Sequence, residues 1–300
     1  MVASPHPAFA GFDQVLPLAG FSGASIALVK LAGRAPFVRK AGTSESSSAA
    51  LQKQAKRQRW LGEAIDGIAR VPAILGEGEA EGLYHFDMEF VPSRDANSFL
   101  LGCGFDELER FAASIEELMR GLAATRLGPE APKPPSLARL LAKVNEIARR
   151  TGGRHDDLLG PLRDGFERLG AYGGNAAATV THGDLTFENI LVNARGELWL
   201  IDPIESPVDH YWIDWSKLFQ DCEGRWHRHR GKPISLGITR WLRNRWLAAA
   251  VADHPDYAAR HYLLLALTFA RILPYAATDA DRTFVQDRVR HFVHAAAQAQ

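Results

Sequence analysis

The stretch from Thr181 to Asp202, THGDLTFENILVNARGELWLID, constrains this chain more than any other. It sets His182, Asp184 and Asn189 in one short run, then brackets Gly196 with two β-like segments, the second of which, Leu198 to Ile201, ends on Asp202. A lone His-x-Asp is common by chance, and an Asp before Pro203 can simply close a strand in a turn. The conjunction is far more specific. An Asp, an Asn five residues on, a strand pair and an Asp at its end follow the order of groups that phosphoryl transfer uses. Asp184 is then the candidate to take the proton of an attacking hydroxyl, with Asn189 and Asp202 as hard oxygen ligands for Mg²⁺ at the phosphates.

Three hundred residues with 46% hydrophobic content allow one large domain or two modest ones with a proper core. Lys plus Arg equals Asp plus Glu at 35 each, so no global field points to nucleic acid. Cys103 and Cys222 lie far apart without metal-ligand spacing, which suits a reducing cytoplasm. The N-terminus lacks a charged region followed by an apolar core, and the longest apolar run, Tyr262 to Phe269, is too short to span a bilayer. The expectation is a cytoplasmic protein that engages neither nucleic acid nor membrane, and the charge balance by itself names no partner.

Upstream, Ile26 to Leu31 and Pro36 to Lys40 read as a hairpin about Ala32-Gly33-Arg34. Just before it, Ser22, Gly23 and Ser25 offer small residues where backbone could approach phosphates, although a plain turn has the same composition. Lys40 is the candidate cation for those phosphates. Ala49 to Ala69 reads as a helix with Leu51, Ala55, Leu61, Ile65 and Ile68 near one face. A strand from about Gly82 runs into Met88-Glu89-Phe90-Val91 and breaks at Pro92-Ser93, a candidate crossover between residues 1–91 and 92–300.

Helical patterns follow at Phe105 to Leu122, Leu137 to Arg149, Leu158 to Leu169, Leu236 to Ala252, Tyr257 to Leu273 and Asp281 to Ala297, with a Pro-rich linker at residues 127–136. Asp214 sits in the first turn of another helix, where its charge meets the positive end of the dipole. Arg225 to Lys232 is the densest basic run, read either as a solvated loop or as a lid that attracts an anionic substrate. His227 and His229 within it alternate with Arg, which disfavours a metal.

His182-Gly183-Asp184-Leu-Thr-Phe-Glu-Asn189, with Ile201-Asp202-Pro203, closely resembles the aminoglycoside phosphotransferase and choline kinase group of small-molecule kinases. The resemblance implies an α+β, two-lobed protein kinase-like fold, with a small antiparallel-sheet N-lobe plus one helix and a larger, mainly helical C-lobe. It implies ATP and Mg²⁺ as cofactors and carries roles over by position: Asp184 catalytic, Asn189 and Asp202 metal ligands, Lys40 on the phosphates, Glu89 and Val91 at the adenine edge. By the same resemblance His182 and Asp214 are scaffold. Three features depart from the pattern, one being that the Gly20 to Ser25 loop is only a loose match. Gln54 stands where the Glu partner of the strand Lys is expected, with Gln58 one turn later and Glu63 a poorer substitute, and Pro203-Ile204 replaces Phe-Gly.

Asp214-Trp-Ser-Lys-Leu-Phe-Gln-Asp, with Gln54 and Gln58, is also similar to phosphotransferases of polysaccharide gene clusters, a hint of a sugar substrate. The function expected is transfer of the ATP γ-phosphate to a hydroxyl of a small, sugar-like metabolite, neutral or anionic because the nearest charged run is basic. The alternatives are a nucleotide-binding pseudokinase or regulatory module, and an aminoglycoside- or choline-type kinase. A protein kinase is disfavoured because only twelve residues separate Asp202 from Asp214, too few for an activation segment.

Overall fold

The computed structural model describes residues 6–18, 23–128, 133–170 and 176–299. Strands β1 (Gln14–Pro17), β2 (Ser25–Lys30), β3 (Phe37–Ala41), β4 (Ile74–Ala80) and β5 (Leu83–Glu89) form one sheet in the order β1-β2-β3-β5-β4, antiparallel throughout. On one face Val38, Tyr84, Phe86 and Met88 pack against Leu51 and Ala55 of helix α1 (Glu45–Ala64). Lys40 lies opposite Phe86 in the register, and its side chain is buried. The expected hairpin is present as β2 and β3.

Helix α1 begins four residues earlier than apolar periodicity alone suggests, because Ser44 and Ser47 close a capping box at its start. Strand β4 went unrecognised in the sequence. Its residues, Ile-Leu-Gly-Glu-Gly-Glu-Ala, include few strand formers, yet it needs only one partner because it is a sheet edge. A two-residue turn joins it to β5, with Glu81 at φ 50° and Gly82 at φ 76°, the backbone that a tight hairpin of this twist demands.

Past β5 the chain crosses to a second, three-stranded sheet, in which β6 (Ser93–Asp95) pairs with β7 (Ile190–Asn193) and β7 with β8 (Leu198–Leu200). The two β-like segments about Gly196 are therefore a true pair. The remainder is helical: α2 (Ala96–Leu100), α3 (Phe105–Ala124), α4 (Leu137–Arg150), α5 (Asp156–Leu169), α6 (Trp212–Cys222), α7 (Trp226–His229), α8 (Leu236–Asp253), α9 (Asp256–Ala270) and α10 (Asp279–Gln298). The fold is thus an antiparallel sheet with one helix, followed by a mainly helical body, as expected. The predicted helix from Tyr257 to Leu273 stops short at Ala270, and Pro274 lies in a separate 3-10 turn at Leu273–Tyr275.

All 11 residues of α6 are buried, so it has no solvent face. Trp212, Trp215 and Phe219 on it share one core with Trp246 of α8, Phe269 of α9 and Phe292 of α10. Trp246 touches the ring of Phe187 at 6.1 Å and donates from Nε1 to the Ala112 carbonyl at 3.3 Å, tying α8 to α3 and to the loop ahead of β7.

The basic run is neither a free loop nor a lid. Arg225 turns the chain at φ 61°, α7 follows, His227 is buried with Nδ1 2.7 Å from the Lys232 carbonyl, His229 meets Asp281 at 2.7 Å, and Lys232 is paired with Asp95. Two of its side chains, His229 and Lys232, are tied to acidic partners of the chain itself.

Trp246→Ala should lower the unfolding free energy by about 3–5 kcal/mol, the range for emptying a large buried aromatic site. Urea unfolding checks it, as a lower midpoint with an unchanged slope.

Candidate active site

The backbone on which Asp184 stands is fixed from behind. Asp214, in the first turn of buried α6, accepts from the amides of His182 and Gly183, each at 2.8 Å. Burial pushes its carboxyl up to about 7, against the opposing pull of those two amides. Gly183 has φ 85°, and a Cβ there would lie 2.2 Å from the Ile204 carbonyl oxygen. The position is closed to any other residue on both grounds. Ile204 in turn donates its amide to the His182 carbonyl at 3.0 Å, stitching the two halves of the site together.

His182 is fully buried. Its Nδ1 accepts from the Asp184 amide at 3.3 Å, which leaves Nε2 to donate to the Ile201 carbonyl at 2.9 Å. Burial drops its pKa to about 4, so the ring is neutral at physiological pH and is fully used by backbone.

In front of this scaffold, Asn189 donates from Nδ2 to the Asp184 carbonyl at 2.8 Å and to its Oδ2 at 3.0 Å. Lys217 of α6 reaches Asp184 Oδ1 at 2.9 Å and Gln220 Oε1 at 3.0 Å. Burial pushes the Asp184 carboxyl upward, but Lys217, through charge and hydrogen bond, together with Arg271 and His182, outweighs it and holds the group below its ordinary range. With 30% of its side chain exposed, Asp184 is anchored from two sides and open on another.

Lys40 pairs directly with Asp202, whose backbone is left-handed at φ 59°, and lies 3.4 Å from Gln54 Oε1. Gln54 therefore occupies the place of the missing Glu, contributing a long, neutral contact while Asp202 supplies the counter-charge. Gln58 is engaged elsewhere, donating to the Pro72 carbonyl at 2.7 Å. Ser25 pairs with Ala41, and the Gly23 carbonyl accepts from Thr43 Oγ1 at 2.6 Å, so this segment borders the end of β3 that carries Lys40. Ser22 lies outside the described residues. Glu89 ends β5 and gives its amide to the Ala73 carbonyl at 2.9 Å, whereas the Val91 amide has no backbone partner among the described residues.

The donor chemistry fits Mg²⁺. The Asn189 amide nitrogen faces Asp184, which leaves its oxygen to a cation, and Asp202 adds a carboxylate. Among the described residues no three His, Cys, Asp or Glu side chains gather at a metal-sized spacing. Mg²⁺ retains waters and substrate phosphates and needs few protein ligands.

Lys217, Asp221 and Arg57 were not singled out as site residues from the sequence. Asp221 accepts from the Phe187 amide at 2.8 Å, and burial raises its carboxyl to about 7. Arg57 of α1 donates to the Thr181 carbonyl at 2.6 Å and stacks on Trp60 at 4.0 Å. A signal existed for two of them: Asp214, Lys217 and Asp221 recur at i, i+3 and i+7, one face of a helix that is otherwise largely Trp, Ile, Leu and Phe.

Residues 15–263 match the family model described as a phosphotransferase enzyme family. A comparison with curated proteins finds no match. Similar solved structures include the GDP complex of an aminoglycoside 2'-phosphotransferase (17% identity, TM-score 0.60, covering 96% of this chain and 94% of that one). They also include a candidate fructosamine-3-kinase from Thermobifida fusca (18%, 0.62, 94% of each chain) and a type I macrolide 2'-phosphotransferase (15%, 0.57, 92% and 90%). At such identities the likeness is one of fold.

Because the pKa of His182 falls from 6.5 to about 4 on folding, the unfolded chain binds a proton between those values that the native state refuses. Its contribution to stability is complete above about pH 6.5 and is lost as pH falls toward 4. His182→Gln keeps a donor for Ile201 and removes this titration, while Asp214 and Asp221 titrate in both proteins. The stability gap between wild type and variant should therefore narrow on acidification across that window, read by urea unfolding at a series of pH values. A constant gap would contradict a buried neutral ring.

Proposed function

The chain belongs to the phosphotransferase enzyme family, whose model spans well over half of it, and from that premise we propose an ATP- and Mg²⁺-dependent kinase acting on a hydroxyl of a small, sugar-like metabolite, neutral or anionic. The observation that carries this reading is the state of Asp184, gripped by Lys217 and Asn189 yet open to a ligand on its remaining face. A carboxylate so held can orient an acceptor hydroxyl without rotating away.

In the proposed step the acceptor oxygen bonds to the γ-phosphorus, the bond from phosphorus to the β–γ bridging oxygen breaks, and the hydroxyl proton passes to Asp184 Oδ. ADP leaves. Lys217 makes Asp184 a weak base, which suits a loose transition state in which the proton moves late. Lys40 would turn from Asp202 to the phosphates, and Asn189 and Asp202 would hold Mg²⁺. When bound, Mg²⁺ supplies charge neutralisation at the phosphates. Glu89 and Val91 would meet the adenine, and the nucleotide would sit between residues 1–91 and 92–300. No helix of the described residues is long and apolar enough to cross a membrane; we place the enzyme in the cytoplasm.

A coupled assay over sugars, sugar phosphates, choline and amino alcohols tests the proposal, with Asp184→Asn as control. Turnover should fall by about 10²–10⁴-fold in the variant, the usual contribution of a positioned base, while Mg-ADP affinity holds. Retained turnover would sink the assignment of Asp184. Nucleotide binding with no transfer to any acceptor would make the protein a binding module, and a polycationic aminoglycoside as the best acceptor would overturn the acceptor class.

A further inference from the structure

Arg271 is the residue that caps α9, its backbone amide bonded to the Leu267 carbonyl at 3.0 Å. Its guanidinium differs from those that end on carboxylates. Arg39, Arg243 and Arg245 each grip a carboxylate, Asp87 at 2.6 Å, Glu223 at 3.2 Å and Glu116 at 2.6 Å respectively. Arg271 makes no ion pair, and its Nη1 is buried without a hydrogen-bond partner among the described residues. A buried cationic donor left unpaired is costly, so its persistence calls for a partner that the chain does not supply.

The carboxylates nearest in charge are all occupied. The field of Asp184 acts on Arg271 most strongly, followed by those of Asp214, Tyr275 and Glu146. Asp184 is held by Lys217 at 2.9 Å, Asp214 by two backbone amides, and Glu146 by Lys143 at 2.9 Å. None of these needs Arg271. Tyr275 is exposed, and Arg150 covers its ring at 4.4 Å while donating to its hydroxyl at 2.8 Å. Within the basic run on which an anionic acceptor was first expected, His229 and Lys232 are paired with Asp281 and Asp95.

We propose that Arg271 forms an oxyanion subsite in the acceptor pocket, so that the metabolite phosphorylated beside Asp184 carries a phosphate or carboxylate close to its reacting hydroxyl. The inference rests on the kinase reading of Asp184. The planar fork of a guanidinium suits either oxyanion through paired hydrogen bonds.

Sulfate is the probe for the subsite, titrated calorimetrically at constant ionic strength into the full-length protein saturated with Mg-AMPPNP, which fills the nucleotide phosphate site. Wild type should bind sulfate, and Arg271→Gln should weaken it about 10-fold or more, as expected for loss of a charged hydrogen bond, with Mg-AMPPNP affinity unchanged. Absence of sulfate binding to wild type, or equal binding by the variant, overturns the subsite. Should Arg271→Gln not fold, Arg271→Lys and the wild-type titration still decide.

A panel of hexoses, hexose 6-phosphates and hexuronates then separates the two oxyanion sources. The best acceptor should be anionic, and Arg271→Gln should raise its KM about 10-fold or more while leaving the KM for ATP in place, as expected for loss of a charged hydrogen bond; a neutral best acceptor, or an unchanged acceptor KM in the variant, overturns the proposal. Failure of wild type to phosphorylate anything would count against the kinase reading and leave the sulfate result standing.

Discussion

One buried carboxylate holds the site in shape. Asp214 has no exposure to solvent, and its two oxygens are spent on the consecutive amides of His182 and Gly183. Two adjacent amides can point at one carboxylate only if the backbone bends sharply between them, and that bend is the left-handed Gly183 packed on the Ile204 carbonyl. The bend aims Asp184 outward while His182 turns inward to satisfy Ile201. The orientation of the reacting group is thus fixed by backbone hydrogen bonds made inside the core, where low dielectric makes such bonds strong and their loss severe.

Helix α6 makes this arrangement by being buried on all sides. A helix with no solvent face would ordinarily be apolar all round. Here Asp214, Lys217 and Asp221 occupy one side of it, reaching the amides of His182 and Gly183, the carboxylate of Asp184 and the amide of Phe187. Aromatic residues on the other sides anchor it to α8 and α9. The loop from His182 to Asn189 is therefore laid on a polar strip whose depth in the core prevents it from shifting, and Arg57 adds a tie from α1 to Thr181.

Much of this was legible in the sequence, and the reason is that chemistry dictates spacing within a contiguous segment. Asp184, Asn189 and Asp202 have to be near one another, and β7 and β8 bring the ends of that segment together over a short loop. Lys40 and Gln54 were also recognisable, through the family resemblance of the strand and helix that carry them. What could not be read was non-local or masked by composition. Arg271 lies far along the chain from Asp184, and only the packing of α9 beside α6 makes them neighbours. Lys217 was visible as a letter in a helix pattern, but its target was not. Strand β4, rich in Gly and Glu, is held by pairing with β5 and not by its own propensity. In Arg225 to Lys232, composition suggested mobility, while the acidic partners that pin it come from α10 and β6.

The pairing of Lys40 with Asp202 bears on how the cleft is first occupied. Each is the natural counter-ion of the other, so without a ligand the cleft is electrically self-contained and neither charge is stranded in its half-buried surroundings. A nucleotide bearing its metal can take both partners at once, anion to lysine and cation to aspartate, in a double exchange that keeps the charges matched before and after. Free nucleotide, or free metal, can satisfy only half of that exchange and must leave the other ion bare. On the roles proposed for these two residues, the cleft selects for the metal–nucleotide complex as a unit.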